Sequence, residues 1–197
     1  MMAVPRILVL SGSTASDHPA SRLSDAAQLL MAQAGADVSR ISLLDYPLPL
    51  MDTVPARRTE IPASATALIR MLHHHDGLFL ASPVVSRMPP PIVVNMIAWS
   101  NVTAGIEEPS PWKDGTVALV CTARRAEEAS IATGCLRAAF ESTGAHVVGA
   151  LDMGCGRAEA FDEDGWIRDS AEEAALENLC TALYRRAADF RKAGSFA

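Results

Sequence analysis

This chain carries no basic stripe, no close pair of cysteines, no apolar run of membrane-spanning length and no glycine-rich nucleotide fingerprint, and each absence removes a class of function. Lys and Arg number 17 against 23 Asp and Glu, for a net charge of −6. Arg57-Arg58 and Arg124-Arg125 are isolated pairs, so nothing neutralises the phosphates of a duplex, and nucleic acid is excluded as a partner. The four cysteines, Cys121, Cys135, Cys155 and Cys180, form no C-x-x-C pair, which suggests neither a zinc site nor a redox dithiol. Cys121 falls at a strand end and Cys180 in an apolar helix, where buried thiols are expected. No apolar stretch approaches the roughly 20 residues of a membrane span, so no membrane partner is expected. A strand stands where a secretory leader would place a charged region and an apolar core, which predicts a cytoplasmic, reducing location. No Ser-His-Asp or Cys-His constellation stands out, and no catalytic residue is assigned.

Against those absences stands one arrangement near the start. The apolar run Arg6–Leu10 leads into Ser11-Gly12-Ser13-Thr14, and a helix opens shortly afterwards. Amides at a helix start lie at the positive end of the dipole and favour an anion, with phosphate the first choice. Hydroxyls of Ser11, Ser13, Ser16 and Ser21 can supplement them. The competing reading is ordinary turn chemistry, for which Gly and Ser are suited. No Gly-Lys-Ser/Thr follows, and Gly12 stands alone, so neither a P-loop nor a dinucleotide fingerprint is present.

Short apolar runs alternate with helical patterns over all 197 residues, read as a single domain. Strands are predicted over Arg6–Leu10, Asp37–Ser42, Gly77–Ser82, Thr116–Cys121 and His146–Leu151. Helices are predicted over Ser21–Ala34, Ala63–His74, Ile92–Asn101, Ala126–Thr143 and Ser170–Lys192. The first, third and fourth strands are continuous apolar runs, as in parallel strands covered on both faces. This alternation predicts an α/β three-layer sandwich of flavodoxin-like topology, with a five-stranded parallel sheet in the order 2-1-3-4-5. Ligands then lie beyond the carboxyl ends of strands 1, 3 and 4, so Ser11–Ser21, Ser82–Pro91 and Cys121–Ser130 should face one crevice. Two proline-bearing excursions, Leu43–Pro62 and Val102–Lys113, are longer than usual connections. His73-His74-His75 invites a metal reading, but neighbours on a helix diverge by about 100°, and helix capping is favoured; no metal ligand is assigned. Phe161-Asp162-Glu163-Asp164-Gly165 lacks the spacing of a calcium loop and reads as a surface turn.

The third loop carries a family likeness. Ser82-Pro83-Val84-Val85-Ser86-Arg87-Met88-Pro89-Pro90-Pro91-Ile92-Val93-Val94-Asn95-Met96-Ile97-Ala98-Trp99 resembles the T-P-E-Y-N-x-S-x-P-G-x-L-K-N-A-I-D-W segment of the NADPH-dependent FMN reductases. Pro83, Pro90, Asn95, Ile97 and Trp99 agree without a gap. Leu44-Asp45-Tyr46-Pro47-Leu48-Pro49-Leu50, Gly115–Val120 and Gly144–Val148 are similar as well. The resemblance implies FMN, with NADPH or NADH as co-substrate and a small-molecule electron acceptor. It further implies a phosphate held by the first loop (Ser11, Ser13, Thr14, Ser16, Ser21, with Arg22 as a cation) and a flavin ring beside Pro83, Val84, Val85, Ser86 and Thr122. Arg87, Arg124 and Arg125 are candidates for the extra phosphate of NADPH. A homodimer or dimer of dimers is implied too, and Trp99 reads as core or subunit contact. Three departures stand out. Ala15 lies near the family's loop arginine, Val84 to Arg87 replace Glu-Tyr-Asn-Gly, and Thr122-Ala123-Arg124-Arg125 replaces a Ser-Pro-Gly-Gly-like turn. The alternative is a non-enzymatic flavodoxin-like module, either an electron carrier or a flavin-less interaction protein.

Overall fold

The computed structural model describes residues 4–52, 61–103 and 110–194. The Arg57-Arg58 pair and parts of both long excursions lie outside the described residues. Five strands, β1 (Arg6–Ser11), β2 (Asp37–Ser42), β3 (Gly77–Pro83), β4 (Thr116–Thr122) and β5 (His146–Met153), pair in parallel in the order β2-β1-β3-β4-β5. The expected topology is therefore observed.

Burial explains the order. Every residue of β3 and β4 is buried, and in β1 all but Arg6, because helices cover both sheet faces. Ile7, Val9, Phe79, Ala81, Ala118 and Val120 point to one layer, and Leu8, Leu10, Leu78, Leu80, Val117 and Leu119 to the other. Helices α1 (Pro19–Gln33) and α5 (Ser170–Gly194) cover the first set. Helices α2 (Ala63–His74), α3 (Pro91–Thr103) and α4 (Ser130–Ser142) cover the second. A one-residue slip would turn each apolar set to the wrong layer, so pattern alone fixes the register. Each fully buried Val, Leu, Ile or Phe contributes about 1.5–3 kcal/mol. Among the described residues no helix is long and apolar enough to cross a membrane.

Three helix starts differ from the sequence reading, α3 by a single residue, at Pro91 instead of Ile92. Helix α1 begins at Pro19, two residues early, because Pro lacks the N–H that a first helical position leaves unused and has its φ already set. Helix α4 begins at Ser130 instead of Ala126. Residues Ala126–Glu128 form a separate tight turn in which Ala129 N–H donates to Ala126 O at 2.9 Å. Strands β1, β3 and β4 each run one residue further, and β5 two. His75 ends α2 with its Nδ1 2.7 Å from Met71 O, in keeping with capping. Trp166 N–H donates to Asp162 Oδ1 at 2.8 Å, and Gly165 takes a φ of 89°, closing a tight turn over Phe161–Ile167.

Candidate functional site at the carboxyl rim

Sheet register brings three loops to one rim. Ser11 lies level with Ala81, Pro83 with Thr122, and Thr122 with Met153. The first two loops touch through Gly12, whose N–H donates to Ala81 O at 2.7 Å. A Cβ there would stand 2.8 Å from Val93 Cγ2 and 3.2 Å from Pro83 Cδ, so only glycine allows this approach.

The first loop divides its polar groups in two. Ser11 and Ser21 are buried, their hydroxyls 3.0 Å apart, and Ser21 Oγ donates to Ala15 O at 2.8 Å. Ser11 Oγ also accepts from Ser13 N–H at 3.1 Å, and Ser13 Oγ from Ala15 N–H at 3.2 Å. The helix amides expected to bind an anion are occupied as well. Pro19 has no N–H, Ala20 N–H donates to His18 Nδ1 at 3.1 Å, and Ser21 and Arg22 N–H donate to His18 O. The open donors therefore lie in the loop before the helix, at the expected Thr14 and Ser16, and not at the helix start. Among the described residues, Thr14, Ser16 and Asp17 keep N–H groups without an acceptor in the chain. Thr14 and Ser16 also present their hydroxyls to solvent.

Arg22 does not serve this loop. Its guanidinium stands over the Phe161 ring, 5.6 Å from the centroid, away from Ser13–Ser16. The cation that does share the loop's cleft is Arg40 of β2. A cleft of about 510 Å³ is lined by Ser11, Ser13, Thr14, Ala15, Ser16, Ser21 and Arg40, together with Ile41, Ser42, Leu44 and Asp45. Arg40 Nη2 donates to Ser21 O at 3.3 Å, and Nη1 lies 2.6 Å from Asp25 Oδ1. A signal for it existed in the sequence. β2 neighbours β1, so an arginine near its carboxyl end, in register with Val9, projects toward α1 and the loop before it.

In the third loop, Val85 and Met88 exchange two N–H···O bonds of 2.9 Å across a two-residue hairpin. Ser86 and Arg87 close it with φ of 50° and 66°, the conformation that favours Asn-Gly. Arg87 thus holds a left-handed backbone that glycine adopts more readily. Val84 is half-buried and Val85 to Met88 are exposed, so these side chains do not fill the rim. Behind them Pro83, Pro89 and Pro90 are buried.

Thr122 faces inward, buried, with Oγ1 3.6 Å from Cys155 Sγ, and presents no hydroxyl to the rim. Burial pushes the Cys155 thiol up to about 11 and Cys121 likewise to about 11, so neither supplies a thiolate at neutral pH. The fourth loop is fastened to the chain after β5. Ala123 N–H donates to Met153 O at 3.1 Å, Gly156 N–H to Ala123 O at 2.7 Å, and Gly154 N–H to Glu172 Oε1. Arg124 and Arg125 are exposed, with Arg125 paired to Glu128 at 3.1 Å. Among the described residues, no three His, Cys, Asp or Glu side chains gather as a metal site.

Comparison with known proteins adds the chemistry. The family described as NADPH-dependent FMN reductase matches residues 5–159. No curated protein sequence matches. Among solved structures, FerB, a flavoenzyme NAD(P)H:(acceptor) oxidoreductase from Paracoccus denitrificans, is 21% identical with a TM-score of 0.74, over 95% of this chain and 99% of that one. RosB, solved with bound 8-demethyl-8-formylriboflavin-5′-phosphate, is 13% identical with a TM-score of 0.74, over 96% and 81%. Flavodoxin of Megasphaera elsdenii is 15% identical with a TM-score of 0.55, over 93% and 98%. At these identities the structures share the fold.

Proposed function

The chain belongs to the NADPH-dependent FMN reductase family, and from that premise we propose that it passes hydride equivalents from a nicotinamide nucleotide through FMN to a small acceptor such as a flavin or a quinone. It is a flavin-dependent NAD(P)H oxidoreductase of flavodoxin-like fold. FMN, when bound, supplies the two-electron redox chemistry, so the protein's part is to hold, orient and shield.

The first loop carries this reading. Amides of Thr14, Ser16 and Asp17 have no acceptor in the chain, and the hydroxyls of Thr14 and Ser16 stand beside them. That donor set suits a phosphate dianion, which takes several N–H and O–H donors at once. Ser11 and Ser21 act one layer down, fixing the loop through their mutual contact and the bond to Ala15 O. The hairpin Val85–Met88 would border the flavin ring. Its Ser86 and Arg87 N–H groups lie outside the hairpin's own pairing and suit the acceptor atoms of a heterocycle. Val85 and Met88 supply apolar contact and help exclude water. Thr122 supports the rim from below through Cys155.

Two copies are proposed as the working unit, joined through the apolar surface around α3. Met51 N–H and Trp99 Nε1–H strap the segment Leu43–Asp52 to that helix. The first donates to Asn95 Oδ1 at 2.8 Å and the second to Pro49 O at 2.7 Å. Leu44 and Leu50 of the strap and Val94 of α3 are exposed, as are Val85 and Met88 in the hairpin that precedes α3.

Titration of the purified chain with FMN should quench flavin fluorescence at a saturable site. Anaerobic NADPH should then bleach the visible flavin absorbance, and a quinone should restore it. Flavin binding without bleaching would replace the reductase reading with that of an electron carrier.

A further inference from the structure

The first loop offers amides and hydroxyls but no fixed positive charge: from Ser11 to Ser21 there is no Lys or Arg. His18 supplies none either. Burial holds its ring below the ordinary value of 6.5, against a smaller upward pull from Asp17, and its Nδ1 accepts a hydrogen bond from Ala20 N–H. Arg22, the nearest arginine along the chain, is directed to the Phe161 ring. A phosphate dianion in this loop would therefore lack a cation from the segment that cradles it.

We propose that Arg40, reaching across from β2, is the cation for the flavin's phosphate. The inference rests on the reading that FMN binds at this rim. Three observations place Arg40 there. Its side chain lines the same cleft as Ser13, Thr14 and Ser16. It is anchored by Ser21 O, the backbone of the residue whose hydroxyl holds the loop at Ala15 O. It is about one-third exposed, so the guanidinium is open to the cleft and not sealed in the core. These contacts use one Nη1–H toward Asp25 and one Nη2–H toward Ser21 O, leaving donors among the guanidinium's five. Asp25 holds the free guanidinium, and phosphate competes with it. A half-exposed carboxylate is a weak rival, because an exposed pair is worth at most about 1 kcal/mol. Asp45, also lining the cleft, opposes an anion, which adds to the need for Arg40.

Riboflavin and FMN share the ring and ribityl chain and differ by the phosphate, so together they isolate this contact. Affinities for both are measured by flavin fluorescence on the full chain, with thermal unfolding as a check on folding. The unaltered chain is expected to prefer FMN. Arg40→Gln should weaken FMN by about tenfold or more, the worth of one charge-assisted contact, and leave riboflavin unchanged. Arg40→Lys should recover part of the loss. Asp25→Asn, which releases the guanidinium without touching the loop, should tighten FMN and not riboflavin, and decides the matter if Arg40→Gln fails to fold. A preserved FMN-to-riboflavin ratio in Arg40→Gln, or an equal loss of both ligands, would overturn the assignment. Binding of neither flavin by the unaltered chain would overturn the flavin reading first and this assignment with it.

Discussion

His18 caps helix α1 with a lone pair that a single proton removes. Nδ1 accepts from Ala20 N–H at 3.1 Å, so the cap exists only in the neutral ring, and burial holds the folded pKa below the ordinary 6.5. His75 adds a second contribution of the same sign. Burial again lowers it most, with His74 and Arg6 lowering it further, against upward pulls from Met71 O and Asp37. A histidine whose folded pKa is depressed favours the fold above its unfolded pKa, and that stability is lost as pH falls through the folded value. The melting temperature should therefore drop as the solution is acidified below about pH 6.5. His18→Asn keeps an acceptor at the cap that no longer titrates, so it should hold neutral-pH stability and make the acid limb shallower without abolishing it, since His75 remains. His18→Ala should cost about 1 kcal/mol at neutral pH, the usual worth of a cap. An acid limb of undiminished slope in His18→Asn would remove His18 from this account.

Loops inherit their positions from the strands, but their stiffness comes from contacts between loops. The loop after β4 is fastened to the chain after β5, and Gly156 is the tightest point. A Cβ there would stand 2.3 Å from Ala123 C and 2.4 Å from Ala123 O, atoms of the backbone that cannot rotate away. Gly156→Ala should cost about 1–3 kcal/mol, as overpacking does, and should loosen residues 123–129, seen as faster amide exchange there. Unchanged exchange with unchanged stability would show that the two loops are not coupled. Couplings of this kind set the limit of what the sequence reveals. Strand identity and order were legible because Arg6–Leu10, Gly77–Ser82 and Thr116–Cys121 are apolar throughout, and Gly35 and Gly144, both at φ 91°, mark where α1 and α4 stop. The start of α4 was not legible, since residues 126–129 suit either a tight turn or a helix. The third loop has no glycine, which by itself argues against a left-handed turn, yet Ser86 and Arg87 take up left-handed backbone, held by the Val85–Met88 pairing. Arg22 and Arg40 show the same limit at the site. Proximity along the chain favoured Arg22, whereas its partner Phe161 lies far away in sequence, and Arg40 reaches the loop only because β2 neighbours β1. Arg40 was legible only by combining the strand order with its register, whereas the direction of Arg22 follows from a distant contact that no local pattern encodes.

At the scale of the molecule, one surface is out of keeping with the rest. Helix α3 is apolar nearly all round, which normally marks a helix covered on every side. Val93 and Met96 fill the core, but Val94 is half exposed, and the strap bound by Asn95 and Trp99 brings Leu44 and Leu50 to the same neighbourhood, Leu50 at 83% exposure. Clustered apolar exposure is characteristic of an interaction face, whereas scattered single residues need no explanation. The hairpin with Val85 and Met88 adjoins it at the start of α3, so a second copy seated there would also wall the flavin rim. Val94→Asp should therefore give a monomer in sedimentation where the unaltered chain is a dimer. Its melting temperature measured at high dilution should be unchanged, because a half-exposed position costs little in the separate chain. Leu50→Asp should act in the same direction, and the two together no more than additively. Weaker FMN binding in the monomeric variant would place the partner's surface against the flavin. An unaltered chain that sediments as a monomer would leave α3 without a second copy, and the closing wall of the rim would then have to come from the acceptor itself.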